Sequence, residues 1–351
     1  MEAVAKTEST LPKNSKRHKD AIRTKIVCMS MIVLLLFSLA LYLFSRTYFK
    51  FWQTGLALTP TIFQNILVRS IPALVAMLVG GAMICSLSLG FQTTTDSRIL
   101  TPAMIGFDSV YVGTQTILAF LLGASTTLLQ NAYLNFFFVA GLMFVISILM
   151  YGAVLRKNRN NLVFLLMFGL VLSGIIGSVT NYLQLIMDAN DYLILQSITS
   201  ASINNINSKI VWIATPIMLA VITAMASKSK RYDCIALGRD NAKGLGINFD
   251  KEMKLNLILI SIGMSAVTAL IGSITFLGLL AVNAARELLK THKHSTMFFV
   301  SSLVGAIALI FGQAIVEMLL GALPLTVIID VVGCLYIFYL ILRSGTRSNS
   351  L

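Results

Sequence analysis

Long apolar runs separated by short polar intervals fill the chain from residue 27 to residue 343. A window of about 20 apolar residues is the helical rise that crosses a hydrocarbon core. It predicts spans at 27–46, 62–86, 103–122, 132–155, 162–187, 209–227, 255–273, 275–290, 297–320 and 325–343. Ten helices fit best, with nine or eleven left open: 103–122 carries Asp108, and 255–273 would join 275–290 but for Gly272-Ser273. The expected fold is all-α, a polytopic membrane domain over 27–343 with a basic tail at 1–26 and a short tail at 344–351. The longest polar interval after residue 26 runs from Lys228 to Lys254, KSKRYDCIALGRDNAKGLGINFDKEMK.

Composition removes the soluble alternatives. The chain is 57% hydrophobic and 12% charged, against roughly 25% charged in an ordinary soluble domain. No stretch of domain length is polar enough to fold in water. An even number of spans puts both termini on one side, and the charge distribution tests that arrangement. With both ends cytoplasmic, 23 of the 27 Lys and Arg fall in inside segments, and only Arg46, Lys50, Arg69 and Lys209 lie outside or near the outer boundary. The net charge of +13 is thereby explained by topology and anionic lipid rather than by nucleic acid. The first apolar run has no small-residue cleavage site after it and is read as a span.

Chemistry-bearing motifs are scarce. Cys28, Cys85, Cys234 and Cys334 form no C-x-x-C pair, so single buried thiols are expected and no zinc site is. His292 and His294 in KTHKH stand at i and i+2, which do not face one another on a helix. With no carboxylate or cysteine cluster beside them, they are read as part of a solvated basic loop and no metal is expected. No G-x-x-x-x-G-K-[ST] phosphate cradle occurs, so the chain has no recognisable means of hydrolysing a nucleotide.

Charged residues within spans are functional candidates because burying them in lipid is costly. Asp108 and Asp330 could serve as the proton relay of an ion-coupled secondary transporter, or could cap helices. Glu317 is expected near the outer end of its span with access to water, and Arg69 to snorkel outward. Gly169, Ser173, Gly174, Gly177 and Ser178 recur at spacings of three and four, giving one small-residue face. That face suits both bundle packing and a translocation path.

Two stretches carry a family resemblance. One is Leu237-Gly238-Arg239-Asp240-Asn241-Ala242-Lys243-Gly244-Leu245-Gly246, followed by a span and then GSITFLGLLAVNAARELLKTHKH. The other is RSIPALVAMLVGGAMICSLSLGFQTTTDSRILTPAMIGFDSVYVG from Arg69 to Gly113. Together they resemble the FecCD-type permease subunits of iron-siderophore and cobalamin ABC importers, in the same order over about residues 27 to 343. ASINNINS at 201–208, FLGLLAVNAAREL at 276–288 and GQAIVEMLLG at 312–321 are most similar to the branch serving catecholate-type or mixed siderophores, such as the anguibactin and petrobactin systems.

The resemblance implies a type II ABC importer permease fold. It also implies a second, related permease chain, two cytoplasmic ATPase subunits that hydrolyse the ATP, and an extracytoplasmic binding protein. This chain would bind no cofactor and would sit in the cytoplasmic membrane. The 228–254 segment would then couple to the ATPase. Leu237, Gly238, Arg239, Asp240, Ala242, Leu245 and Gly246 are its candidate residues. In this reading Asp240 is a helix cap, Ala242, Leu245 and Ile247 form an apolar surface, glycines 238, 244 and 246 allow turns, and Arg239 reaches across the interface.

Docking of the binding protein would fall to Arg69, Lys50, Lys209 and Glu317. The family's R-x-P-R pattern is matched only in its first arginine, and Glu317 stands where some relatives carry another. The family's proline-histidine pair is also absent from Ala281-Val282-Asn283-Ala284-Ala285-Arg286. Ser173, Gly177, Thr180 and Asn181 are the candidate path residues.

Overall fold

A computed structural model of the chain describes residues 13–54, 60–157, 162–199, 206–289, 291–319 and 324–348. Lipid offers backbone groups no hydrogen-bond partners, so a spanning chain satisfies them within helices. Each predicted span is helical over most of its described length. In chain order the helices are α1 (Lys13–Thr54), α2 (Pro60–Thr95), α3 (Phe107–Leu122), α4 (Thr127–Gln130), α5 (Ala132–Lys157), α6 (Leu162–Ile186) and α7 (Ala189–Thr199). They continue as α8 (Ser208–Ser227), α9 (Ser229–Ile235), α10 (Arg239–Gly244), α11 (Phe249–Ile271), α12 (Leu277–Leu289), α13 (His294–Met318) and α14 (Leu325–Ser348). The first of these begins inside the predicted tail, and α4, α7, α9 and α10 are short additions that the window method passes over.

Among the described residues, seven helices are long and apolar enough to cross a membrane, and Phe107–Leu122 and Leu325–Tyr336 are shorter apolar helices. The eighth predicted span, α12, has 13 residues, about 20 Å of rise against a core of roughly 30 Å. Its shortness has a visible cause. The break at Gly272 lies beside the middle of α2: a Cβ at Gly80 would meet Ile271, and one at Gly278 would meet Ser88 and Ile84. The chain thus turns back inside the bundle, and α12 starts part-way down.

α2 is the central helix. Of its most apolar window 72% is buried inside the chain, against 11% for α1 and for α6, which turn apolar surface outward. Around it pack α8, α11, α12 and α13. Small residues set how close these helices come. A Cβ at Gly81 would lie 2.8 Å from the backbone of Gly305, and one at Gly305 2.7 Å from Gly81 O, so the two backbones touch. Met83, Leu87, Ile260, Leu277 and Leu309 fill the space between these contacts.

Candidate functional site

One end of the bundle gathers the basic segments: residues 96–98 after α2, the 228–254 segment, and 291–294 before α13. The 228–254 segment is folded. After α8, α9 runs to Ile235, a turn passes through Gly238, α10 closes at Gly244, and Asn248 caps α11 by accepting from Lys251 N. Gly238 (φ 94°) and Gly246 (φ 81°) occupy the left-handed region that glycine tolerates.

Two polar chains, one buried and one part-buried, tie α9 to α2. Tyr232, 3% exposed, donates its hydroxyl to Asn256 Oδ1 at 2.6 Å, and Asn256 Nδ2 donates to Gly90 O at 3.0 Å and Thr94 Oγ1 at 2.5 Å. Burial pushes the Tyr232 phenol above its ordinary range, which keeps it a neutral donor. Beside it, Asp233 Oδ1 accepts from the backbone N–H and Nδ1 of His294, each at 2.8 Å, while His294 Nε2 lies 2.9 Å from Thr93 Oγ1. The Tyr232 ring stacks on His294 and tilts against Phe298. Lys228 and Arg231 both pair with Glu252, Lys228 at 3.2 Å. The segment is therefore a platform anchored to three helices, and displacing it displaces α2 and α13 with it.

Within the platform the geometry revises several expectations. Asp240 is not a cap: Gly238 holds that position, and Asp240 lies exposed in the first turn of α10. Ala242 is fully buried and contributes to the core rather than to an outer surface, whereas Leu237 (57% exposed) and Leu245 (60%) face outward. Gly244 is an ordinary helical residue. Arg239 Nη2 is engaged within the chain, on Asp250 Oδ1 at 2.9 Å, and its guanidinium lies over the Phe249 ring. His294 is buried rather than solvated, while His292 is exposed. No group of three His, Cys, Asp or Glu suited to a metal occurs among the described residues.

Asp108 and Asp330 meet at the intramembrane break. Thr275 Oγ1 donates to Asp108 Oδ2 at 2.6 Å, with Ser273 beside Asp108 and the Phe276 backbone beside Asp330. Both carboxylates thereby hold the turn that starts α12, at the positive end of its dipole. The turn contacts engage one oxygen of Asp108, while Asp108 Oδ1 and Asp330 Oδ1 are buried without a hydrogen-bond partner.

The small-residue face of α6 is divided. Gly169 and Ser173 pack on the turn at Ile105-Gly106, and Thr180 is buried opposite Gly113. Gly174 and Gly177 meet nothing within 4 Å of a Cβ, and Asn181 is exposed. At the opposite end of the bundle Lys209 is exposed, but Glu317 is 6% exposed and does not reach water. Its carboxylate lies 3.6 Å from Arg46 Nη1 and 3.4 Å from Ser45 Oγ. The side chains of Arg69 and Lys50 lie outside the described residues.

This arrangement, a broken-helix bundle with a folded basic platform at one end, was compared with known proteins. The FecCD transport family profile matches residues 30–343. The chain belongs to the FecCD transport family. Among curated FecCD relatives, the petrobactin import system permease protein YclO of Bacillus subtilis is 38% identical over 280 residues, covering 80% of this chain and 89% of that protein. The petrobactin import system permease protein FatC of Bacillus anthracis is 26% identical, covering 94% of both. A structure solved as an inward-facing conformation of a metal-chelate type ABC transporter shares the fold: TM-score 0.75 at 19% identity, over 91% of this chain and 99% of that one. The FecCD chain is thus a multi-pass membrane protein with a type II ABC importer permease fold.

Of the residues that anchor the platform, Tyr232, Asp233, Asn256, Thr93 and Thr94 were not singled out from sequence, and His294 was expected in a solvated loop. Asn256 carried a readable signal, being an amide within an apolar run. Thr93 and Thr94 carried none.

Proposed function

We propose that this chain is the non-catalytic permease subunit of an ATP-driven importer that carries a ferric siderophore across the cytoplasmic membrane. Separate ATPase subunits dock on the 228–254 segment, a second permease chain related to this one completes the path, and an extracytoplasmic binding protein delivers the cargo. Both termini lie in the cytoplasm. The observation that carries this reading is the platform itself. Exposed Leu237 and Leu245 offer an apolar contact for a partner groove, while the hydrogen-bonded chains through Tyr232 and Asp233 connect that contact to α2.

Ferric siderophore as cargo rests on the relatives YclO and FatC, each named as a permease of petrobactin import. On the opposite face, Lys209, Arg69 and Lys50 are the proposed docking groups for the binding protein, since Glu317 is committed to Arg46. The path runs beside the exposed part of α6 at Gly177 and Asn181, with Ser173 and Thr180 behind it.

The test is co-expression of this chain with its neighbouring ATPase and second permease, followed by purification on this chain alone and uptake of iron-labelled siderophores in a deletion strain. Recovery of an ATPase in the complex, with ATP-dependent ferric siderophore uptake restored, is expected. Uptake that persists without any ATPase and collapses with the proton gradient would overturn the assignment.

A further inference from the structure

The ends of α2 and α12 and the start of α13 surround an open-sided cavity of about 450 Å³, lined also by Ala236 of the platform. At roughly 30 Å³ per water this is room for far more than a single solvent molecule. Gln92, Asp96, Arg98, Arg286, His292 and His294 are the polar residues on which its chemistry turns.

Two features set the cavity apart. Arg98 and Arg286 face it as like charges, and neither has a carboxylate within ion-pair distance among the described residues. Asp96 lines the same space without pairing to either. Independently, Gln92 is 2% exposed, and both its side-chain nitrogen and its oxygen are buried without a hydrogen-bond partner. A buried amide left unsatisfied costs about 1–3 kcal/mol per group. His294 is already committed to Asp233 and Thr93 and forms a wall.

Water would satisfy Gln92 and hydrate exposed Arg98, but would supply no counter-charge to Arg98 or to Arg286, whose Nη1 donates to Asn283 Oδ1 at 3.5 Å. A tetrahedral oxyanion does both: its charged oxygens bridge Arg98 and Arg286, and another accepts from Gln92 Nε2. A hydroxyl, on the phosphorus or on an attached glycerol, donates to Gln92 Oε1.

We propose that this cavity is a phosphate-binding site, in which Arg98 and Arg286 hold the anionic oxygens and Gln92 orients the group. The phosphate belongs either to free inorganic phosphate or to the headgroup of an anionic phospholipid at the basic end of the bundle. Its occupancy ties the ends of α2, α12 and α13 together beside the platform.

The experiment uses the purified full-length chain. Inorganic phosphate is titrated calorimetrically in detergent against chloride of equal ionic strength, and retention of phosphatidylglycerol against phosphatidylcholine is measured by native mass spectrometry. Arg98→Gln alters an exposed side chain, and Gln92→Leu removes only the amide. Each variant's unfolding midpoint without phosphate checks that it is folded. Saturable phosphate binding, weakened about tenfold or more in Arg98→Gln and weakened in Gln92→Leu, supports the site with free phosphate as its ligand. Preferential retention of phosphatidylglycerol, lost in Arg98→Gln, supports it with lipid as the source. The proposal is overturned if neither probe binds the wild type, or if binding is unchanged in both variants.

Discussion

Asp233 and His294 are joined twice, since one carboxylate oxygen accepts from both the backbone N–H and the ring Nδ1 of His294 at 2.8 Å. One residue belongs to the platform and the other opens α13, whose Gly305 touches the central helix at Gly81. A push on the platform therefore reaches the bundle through a charged hydrogen-bond pair rather than through a loop.

Breaking that pair should separate docking from transport. Asp233→Ala leaves Leu237 and Leu245 in place, so the ATPase still co-purifies. Uptake falls by about tenfold or more, since two hydrogen bonds to a charged group are worth about 1.5–3 kcal/mol each before solvent access at Asp233 is discounted. Asp233→Asn, which keeps an acceptor, recovers part of the uptake. The measurement is siderophore uptake per ATP hydrolysed; an unchanged ratio in Asp233→Ala would show that force passes elsewhere.

The outer surface of the platform is testable at single side chains. Leu237→Ser and Leu245→Ser remove apolar area from positions more than half exposed, so the isolated chain's melting midpoint should stay within a degree or so while ATPase recovery on purification drops. Ala242→Glu behaves oppositely. It forces a charge into a site with no exposure, and the chain itself should lose stability. If the Leu variants retain wild-type ATPase binding, the contact lies elsewhere on the segment.

The ten apolar runs were legible because lipid imposes one period and one length on whatever crosses it. The depth of α12 was not. A window that counts apolar residues sees 275–290 as a full span, while the Gly80–Ile271 and Gly278–Ser88 contacts that place its start inside the bundle are pairwise and lie far apart in sequence. Within the platform, sequence identified the segment and the turn glycines 238 and 246, because positive φ is a local property. Ala242 and Leu245 look alike in a sequence, and only the packing of α10 on α11 makes one buried and the other exposed. His294 was placed among solvated residues because KTHKH is a basic string; its partners Asp233 and Thr93 are 61 and 201 residues away.

Arg46 and Glu317 pair at 3.6 Å with little exposure, 14% and 6%. Removing one partner strands the other in a low-dielectric setting, which costs about 3–5 kcal/mol when burial is complete. Arg46→Met should therefore lower the melting midpoint of the detergent-solubilised chain more than Glu317→Ala does, because it strands the deeper Glu317, whereas a stranded Arg46 retains its contact with Tyr42 and more solvent. The double variant Arg46→Met/Glu317→Leu should regain most of the loss. Additive losses in the double variant would mean that the pair is not coupled.

Asp108 separates the two transport mechanisms most directly. If it relays protons, replacing it with a residue that cannot ionise abolishes uptake whatever the geometry. If it caps the turn before α12, what matters is an acceptor for Thr275, 2.6 Å away. Asp108→Asn keeps an acceptor oxygen and should retain most of the uptake, which should also withstand a protonophore while ATP is maintained. Asp108→Leu leaves the Thr275 hydroxyl without its partner inside the membrane. It should reduce the amount of folded chain recovered, with a cost of about 1–3 kcal/mol. Uptake lost in Asp108→Asn at undiminished folded yield would return the carboxylate to the transport chemistry and reopen the ion-coupled reading.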